Sequence, residues 1–576
     1  MTRSMPWIPI LLACACLASP AGAAVLSVEL EAKVDANDEP VDADERAIWQ
    51  KLALLEEAIR DSPQRLRAPA LDAYTRGVVE RLIGRPAPDL RIYLMRDASF
   101  NAAMFPTGMM IVNTGVLARV RNEAQFAAVL GHEAGHYFRE HSLARYRDVR
   151  HKTARSEVAT AAAQGSSYGM GTGTESWNLI SEAIVASVFR FSQDQESEAD
   201  AFALMLMARA GYAPRAASAM YEQLIDERRT SAAARDKRYF AGANSARSTH
   251  PPTRRRIVDL IDTGDFLAAK GERPGNEGRD EWAAAVRPYQ ALLLQEQVNL
   301  NDPGASLYLL ENLAKDGWTG PLRFNEGEVY RLRDANGDDA KAAAAYTAAV
   351  ALADAPPETW RAHGYALLKT GNGAEAYQAL NRYLAMRPEA ADAAMIRFVT
   401  DVERTEAEAS AVAGGGMSVK PHRAWKPISG DTHLTRWEKV WTWNGPQIDR
   451  ITLIDGVPVG KAMNLQPKTA DQQVPAFRAD MTAHDLASML EVSYRVNGVT
   501  VFNFESVEPV HFLGGPGIRL RYNYASGLGI AKRGSCAMRV VDRKLYAIKL
   551  ESVAKRDFDA VVSEFDGLVA SAALRD

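Results

Sequence analysis

Two histidines four residues apart, with a glutamate directly after the first, are the side chains of this sequence best placed to do chemistry: His132-Glu133-Ala134-Gly135-His136. On a helix, residues four apart share a face, so the two imidazoles can hold one cation. Glu133 stands one step round and can reach a water on that cation without binding the metal. This is the H-E-x-x-H arrangement of zinc-dependent hydrolysis, with Glu133 as general base. The bland alternative is a helix carrying two solvated histidines, which sits poorly with only ten histidines in 576 residues.

A catalytic zinc needs a third protein ligand and an open position. Glu196 and Asp200, four apart, open a second apolar helix that Gly211 and Pro214 end. Glu196 is the leading candidate, and Asp200 would then hold a ligating imidazole or nearby backbone. Glu198 and Glu182 compete for the ligand role, and a surface pairing of Glu196 with Arg190 is the non-functional alternative. A metzincin site is excluded, because Arg139 and Ser142 stand where its glycine and third histidine belong. His141, five residues past His136, falls about 140° round a continuous helix and is expected to point elsewhere as a structural residue.

The elements that must position these groups follow from periodicity. Residues 122–147 are expected as one long helix, with Asn122 as N-cap and Phe126, Val129, Leu130 and Tyr137 facing the core. Upstream, residues 45–83 have helical spacing, 90–94 alternate like a strand, and 101–106 are turn-rich. Residues 108–113 form a second strand, in which Met109, Met110, Ile111 and Val112 could serve as an edge for an extended peptide. An ordinary paired strand is the alternative. The Gly/Ser-rich stretch 164–174 reads as a flap or as a plain connector.

Length and composition bound the rest. The chain is too long for one core, so about three domains are expected. A hydrophobic content of 47%, a charged content of 24% and a net charge of -4 suit a soluble globular protein with no nucleic-acid partner. Arg3, the apolar run 8–17 and Ala21-Gly22-Ala23 read as a signal peptide, 1–23. Export to the periplasm follows, with an outer-membrane lipoprotein attached through Cys14 as the alternative. Cys536 is then the one remaining cysteine, so no internal disulfide forms. The mature chain has no apolar run of spanning length; residues 177–191, interrupted by Glu182 and Arg190, read as a buried helix. Residues 24–44 read as a flexible leader.

Beyond a peptidase-like region at 45–265 and a linker at 266–285, residues 286–405 are helical. Trp360, Gly364, Ala376, Leu380 and Pro388 have tetratricopeptide spacing, and Gly327, Tyr330, Tyr346 and Ala349 mark a degenerate earlier unit. Stacked helix pairs could hold polypeptide or act as a spacer. From 417 to 576 the period changes to two, with turn signals at Asp455-Gly456, Asn497-Gly498 and Asp542-Arg543. Phe558, Val561, Val562, Phe565, Leu568 and Val569 lie on a closing helix. The expectation is an antiparallel sheet backed by that helix, an α+β domain loosely resembling the PsbP/Mog-like fold.

Four linked motifs carry a more specific resemblance. They are Asn101-Ala102-Ala103 with the 108–112 strand, the His132–His136 pentapeptide, Glu196-Ser197-Glu198-Ala199-Asp200, and Thr249-His250-Pro251-Pro252-Thr253 running to Arg256-Ile257. Together they resemble family forty-eight of the metallopeptidases, the HtpX and CAAX prenyl protease family, in its soluble periplasmic BepA-like branch. The resemblance implies a mainly α zincin-type (gluzincin) domain holding one zinc per chain on His132, His136 and Glu196. It makes Glu133 the catalytic base and Asp200 the supporting acid. It also puts His250 near the metal as a fourth, capping ligand and Arg256 in the cleft. The implied activity is a metalloendopeptidase acting on misfolded or stalled envelope polypeptides, with the outer-membrane assembly machinery as a partner through the repeats. A chaperone-like assembly factor with a capped zinc site is the alternative.

Overall fold

The computed structural model describes residues 40, 42–84, 86–87, 90–153, 191–237, 254–270, 275–370, 372–401, 416–419, 426–427, 436–442, 449–463, 473–525, 531–554 and 558–574. The signal at 1–23, the leader as far as residue 39, the 164–174 stretch, residues 177–190 and His250 lie outside the described residues.

Helix α1 (Ala43–Asp61) starts where the Asp42 carboxylate accepts the Glu45 amide, and it buries Ile48, Leu52, Leu55 and Ile59. Helix α2 (Pro69–Ile83) precedes a small sheet of β1 (Arg91–Met95), β2 (Ala102–Met104) and β3 (Met109–Asn113). Its strand order is β1-β3-β2, with β3 parallel to β1 and antiparallel to β2. Strand β3 is therefore the middle strand. Met109, Met110, Ile111 and Val112 are paired on both sides and offer no free edge to a peptide, contrary to the edge-strand expectation. The outer strands are β1 and β2, the latter formed within the passage that reads as turn-rich.

After α3 (Thr114–Arg119) comes α4 (Glu123–Phe138), capped by the Asn122 side chain on the Gln125 amide. The single helix expected over 122–147 is broken. Glu140 takes a left-handed φ of 53°, and a new helix, α5, runs over His141–Thr153. Such a φ costs a non-glycine residue about 1 kcal/mol. Burial offsets it, because Leu143 and Tyr146 turn into a core shared with Ile48, Leu52, Phe105 and Met109.

Helix α6 (Gln193–Arg209) opens with a reciprocal Ser192/Gln195 capping box and crosses α4 closely. The crossing runs over glycines. A Cβ on Gly135 would lie 3.1 Å from the Ala199 Cα, and one on Gly131 would lie 3.3 Å from the Ala203 Cα. Helices α7 (Arg215–Ala233), α8 (Arg254–Lys270) and α9 (Arg279–Val286) complete this region. Of the linker expected at 266–285, residues 277–282 pack against the start of α4. The carbonyls of Gly278 and Glu277 accept the Glu123 and Ala124 amides at the start of α4, and Trp282 packs 4.9 Å from Phe126 with its indole N–H on the Val120 carbonyl.

Among the described residues seven further α-helices follow: α10 (Gln290–Val298), α11 (Pro303–Leu313), α12 (Gly320–Arg333), α13 (Asp338–Val350), α14 (Pro357–Lys369), α15 (Gly373–Met386) and α16 (Ala393–Asp401). Neighbours pack against each other, α12 with α13 and α14 with α15. Gly327 leaves room for the Tyr346 ring and Gly364 for Leu380. The last region, entered through a short β4 (Met417–Ser418), is a seven-stranded antiparallel sheet. It contains β5 (Lys426–Pro427), β6 (Glu438–Thr442), β7 (Asp449–Pro458), β8 (Val501–Phe512), β9 (Gly515–Ala525), β10 (Lys532–Val541) and β11 (Lys544–Val553) in the order β5-β6-β7-β11-β10-β9-β8. Alternation decides its two faces. Cys536 and Met538 pack with α17 (Ala483–Val496), while Ala537 packs with α18 (Phe558–Ser571). The sequence reading supplied only α18. Helix α17 also ties the sheet to the helical region, since Asp485 pairs with Arg331 and Lys369, and His484 stacks on Tyr365. Part of the surface expected to hold polypeptide is thus covered by the chain's own helix.

Two glycines in helices should respond oppositely to substitution. Gly135→Val should lower unfolding free energy by about 2 kcal/mol through overpacking against α6. Gly77→Ala in α2, where no atom lies within 4 Å of the new Cβ, should raise it by about 0.5–1 kcal/mol. Denaturant unfolding of the two variants checks both signs.

Candidate metal centre

One turn of α4 puts the His132 and His136 Nε2 atoms 3.1 Å apart. The first turn of α6 brings Glu196 opposite them, with Oε2 3.6 Å from His132 Nε2 and Oε1 3.6 Å from His136 Nε2. All three side chains are buried. Ligands held tetrahedrally at about 2.0–2.1 Å from one zinc stand roughly 3.4 Å apart, so the three donors fit that ion. Two imidazole nitrogens and one carboxylate also suit zinc better than calcium or magnesium. Among the described residues these donors would fill three of the four tetrahedral positions, the number that catalytic sites use. Among the described residues no other set of three such donors converges. Glu133, 2% exposed, follows His132 on α4.

Behind the donors lies a buried charge network. His132 Nδ1 is 2.9 Å from Asp200 Oδ1, so a ring using Nε2 for metal donates its other N–H to that carboxylate. Arg256, delivered by α8, holds Asp200 with two hydrogen bonds of 2.8 and 2.7 Å and reaches Glu196 Oε2 at 2.8 Å. It also contacts the Tyr221 hydroxyl at 2.8 Å. Burial pushes the Asp200 carboxyl up, but the Arg256 charge and His132 outweigh it and hold Asp200 well below the usual range. Burial likewise raises the Tyr221 hydroxyl, which stays protonated. Arg256 is therefore buried against Glu196 and Asp200.

His141 departs from expectation. The break at Glu140 returns its ring to His136, Nδ1 to Nδ1 at 2.9 Å. Its Nε2 lies 3.3 Å from Glu198 Oε2, while Glu198 Oε1 is 2.7 Å from Arg139 Nε. Glu198, the competing ligand, is thus engaged away from the two Nε2 atoms. Burial lowers the His141 ring against the opposing pull of Glu198. Phe191 stacks on His136 with centroids 3.8 Å apart. Sequence reasoning missed Tyr221 and Phe191, which no local spacing signal marks out. Glu182, Arg190 and His250 are outside the described residues.

The Asp200 support predicts a measurable loss. Asp200→Asn should weaken zinc binding about 10–100-fold, measured by competition with a chromophoric chelator. Retained wild-type affinity would show that Asp200 does not orient His132.

Comparison with known proteins adds an independent line. Residues 65–263 match the model of peptidase family M48. The beta-barrel assembly-enhancing protease of Escherichia coli is 24% identical over 325 residues, covering 48% of this chain and 64% of that protein. The mitochondrial metalloendopeptidase OMA1 of Schizosaccharomyces pombe is 30% identical over 187 residues, 32% of this chain and 50% of its own length. Its Arabidopsis thaliana namesake is 30% identical over 148 residues, 23% of this chain and 25% of its own length. The chain spans less than two thirds of each of these relatives.

Proposed function

We infer, from the match of residues 65–263 to the model of peptidase family M48, that the chain is a zinc-dependent endopeptidase of exported proteins. The observation that supports this most is the convergence of His132, His136 and Glu196 donor atoms within 4.8 Å of one another. When bound there, one zinc per chain supplies Lewis acidity to the scissile carbonyl and to an attacking water. Glu133 takes that water's proton and passes it to the leaving amine. Asp200 holds the His132 ring, and Arg256 offsets the negative charge of Glu196 and Asp200. An extended substrate pairs with β2, the one of the two outer strands that packs beside α4.

The substrates in this reading are misfolded or stalled envelope polypeptides, in the periplasm. The name of the Escherichia coli relative favours a role near outer-membrane assembly. The helical region 286–405, as tetratricopeptide-like repeats, would meet that machinery. No helix among the described residues is long and apolar enough to cross a membrane.

Purified chain with zinc should cleave casein. Glu133→Gln should lower the rate about 10²–10⁴-fold while zinc still binds, and chelation should abolish cleavage until zinc is returned. A zinc-loaded wild type as inert as Glu133→Gln would overturn the endopeptidase reading and leave a chaperone-like assembly factor.

A further inference from the structure

We propose that Glu198 and His141 form a hydrogen-bonded relay that orients His136 for zinc, making His141 a positioning residue of the metal centre. The inference rests on His136 being a zinc ligand. A ring that gives Nε2 to the metal carries its proton on Nδ1. That Nδ1–H faces His141 Nδ1 at 2.9 Å, and the contact is a hydrogen bond only if His141 Nδ1 accepts. His141 must then be the neutral ring with its proton on Nε2. That second proton faces Glu198 Oε2 at 3.3 Å, which accepts. Arg139 Nε, 2.7 Å from Glu198 Oε1, forms an ion pair with the other carboxylate oxygen. From His136 to Glu198 each shared proton then has one donor and one acceptor, and a protonated His141 Nδ1 would set two N–H groups against each other at the first link.

The two zinc-facing rings are therefore supported in different ways. His132 rests on Asp200, which is locked by Arg256, all of them buried. His136 rests on a neutral histidine whose own partner is 45% exposed at the side chain. His141 can take this place only because the left-handed turn at Glu140 ends α4 and starts α5 with His141. In an unbroken helix its ring would lie about 140° round from His136. The stacked ring of Phe191 and the edge-on ring of His141 flank His136 on different sides, fixing its plane as the hydrogen bond fixes its proton.

The test uses the full chain, stripped of metal and titrated with zinc against a chromophoric chelator. His141→Phe keeps ring volume but cannot accept, and should bind zinc about 10–100-fold more weakly. His141→Gln restores an acceptor and should recover most of that loss. Cobalt substituted for zinc should show a shifted absorption band in His141→Phe and a near-normal one in His141→Gln, with thermal midpoints of the metal-free proteins unchanged. Should His141→Phe fail to fold, Glu198→Ala, at a half-exposed position, should still weaken zinc binding severalfold. Wild-type zinc affinity and an unshifted cobalt spectrum in His141→Phe, or unchanged affinity in Glu198→Ala, would overturn the relay. A wild-type chain that binds no zinc would instead sink the metallopeptidase reading.

Discussion

Three carboxylates, Glu133, Glu196 and Asp200, share a volume almost closed to water, each less than 10% exposed. Concentrating like charge in a low-dielectric site is costly unless it is balanced in place. Arg256 supplies one positive charge, in contact with both Glu196 and Asp200. The two charges of a zinc ion held by His132, His136 and Glu196 would balance the rest. Ligand set and guanidinium are thus parts of one electrostatic arrangement. Removing either leaves buried acids that must take up protons or force the site open.

That arrangement dictates much of the surrounding fold. Arg256 comes from α8, 56 residues beyond Asp200, so the centre is complete only when the chain has folded as far as that helix. The approach of α6 to α4 depends on Gly131 and Gly135, whose missing side chains let Ala203 and Ala199 come close. Glycine within a helix costs roughly 1 kcal/mol against alanine. Here it sets the helix spacing that carries Glu196 to the two imidazoles. Downstream, Trp282 and the carbonyls of residues 277–278 secure the start of the same α4 helix.

What the sequence revealed depended on how locally each feature is encoded. His132, Glu133 and His136 lie within one helical turn, and Glu196 and Asp200 within another, so spacing alone suggested their shared faces. The Asp542-Arg543 hairpin was equally legible, and both residues take the left-handed φ that its tight turn needs. The break at Glu140 was not. No glycine or proline marks it, and the driving force is burial of Leu143 and Tyr146 against α1, nearly a hundred residues earlier. The place of β3 was hidden too, because it depends on β2, three residues long in a stretch that reads as turn. Helix α17 did carry a local signal, the Thr482/Asp485 capping box, but its flanking strands dominated the period-two pattern.

The most direct test of the central claim is the metal content of purified wild-type chain beside Glu196→Ala, after gel filtration in metal-free buffer. The account predicts one zinc per wild-type chain and close to none in the variant. A Glu196→Ala protein that keeps a full equivalent of zinc would contradict it, since the two imidazoles would then hold the ion without the carboxylate that α6 delivers.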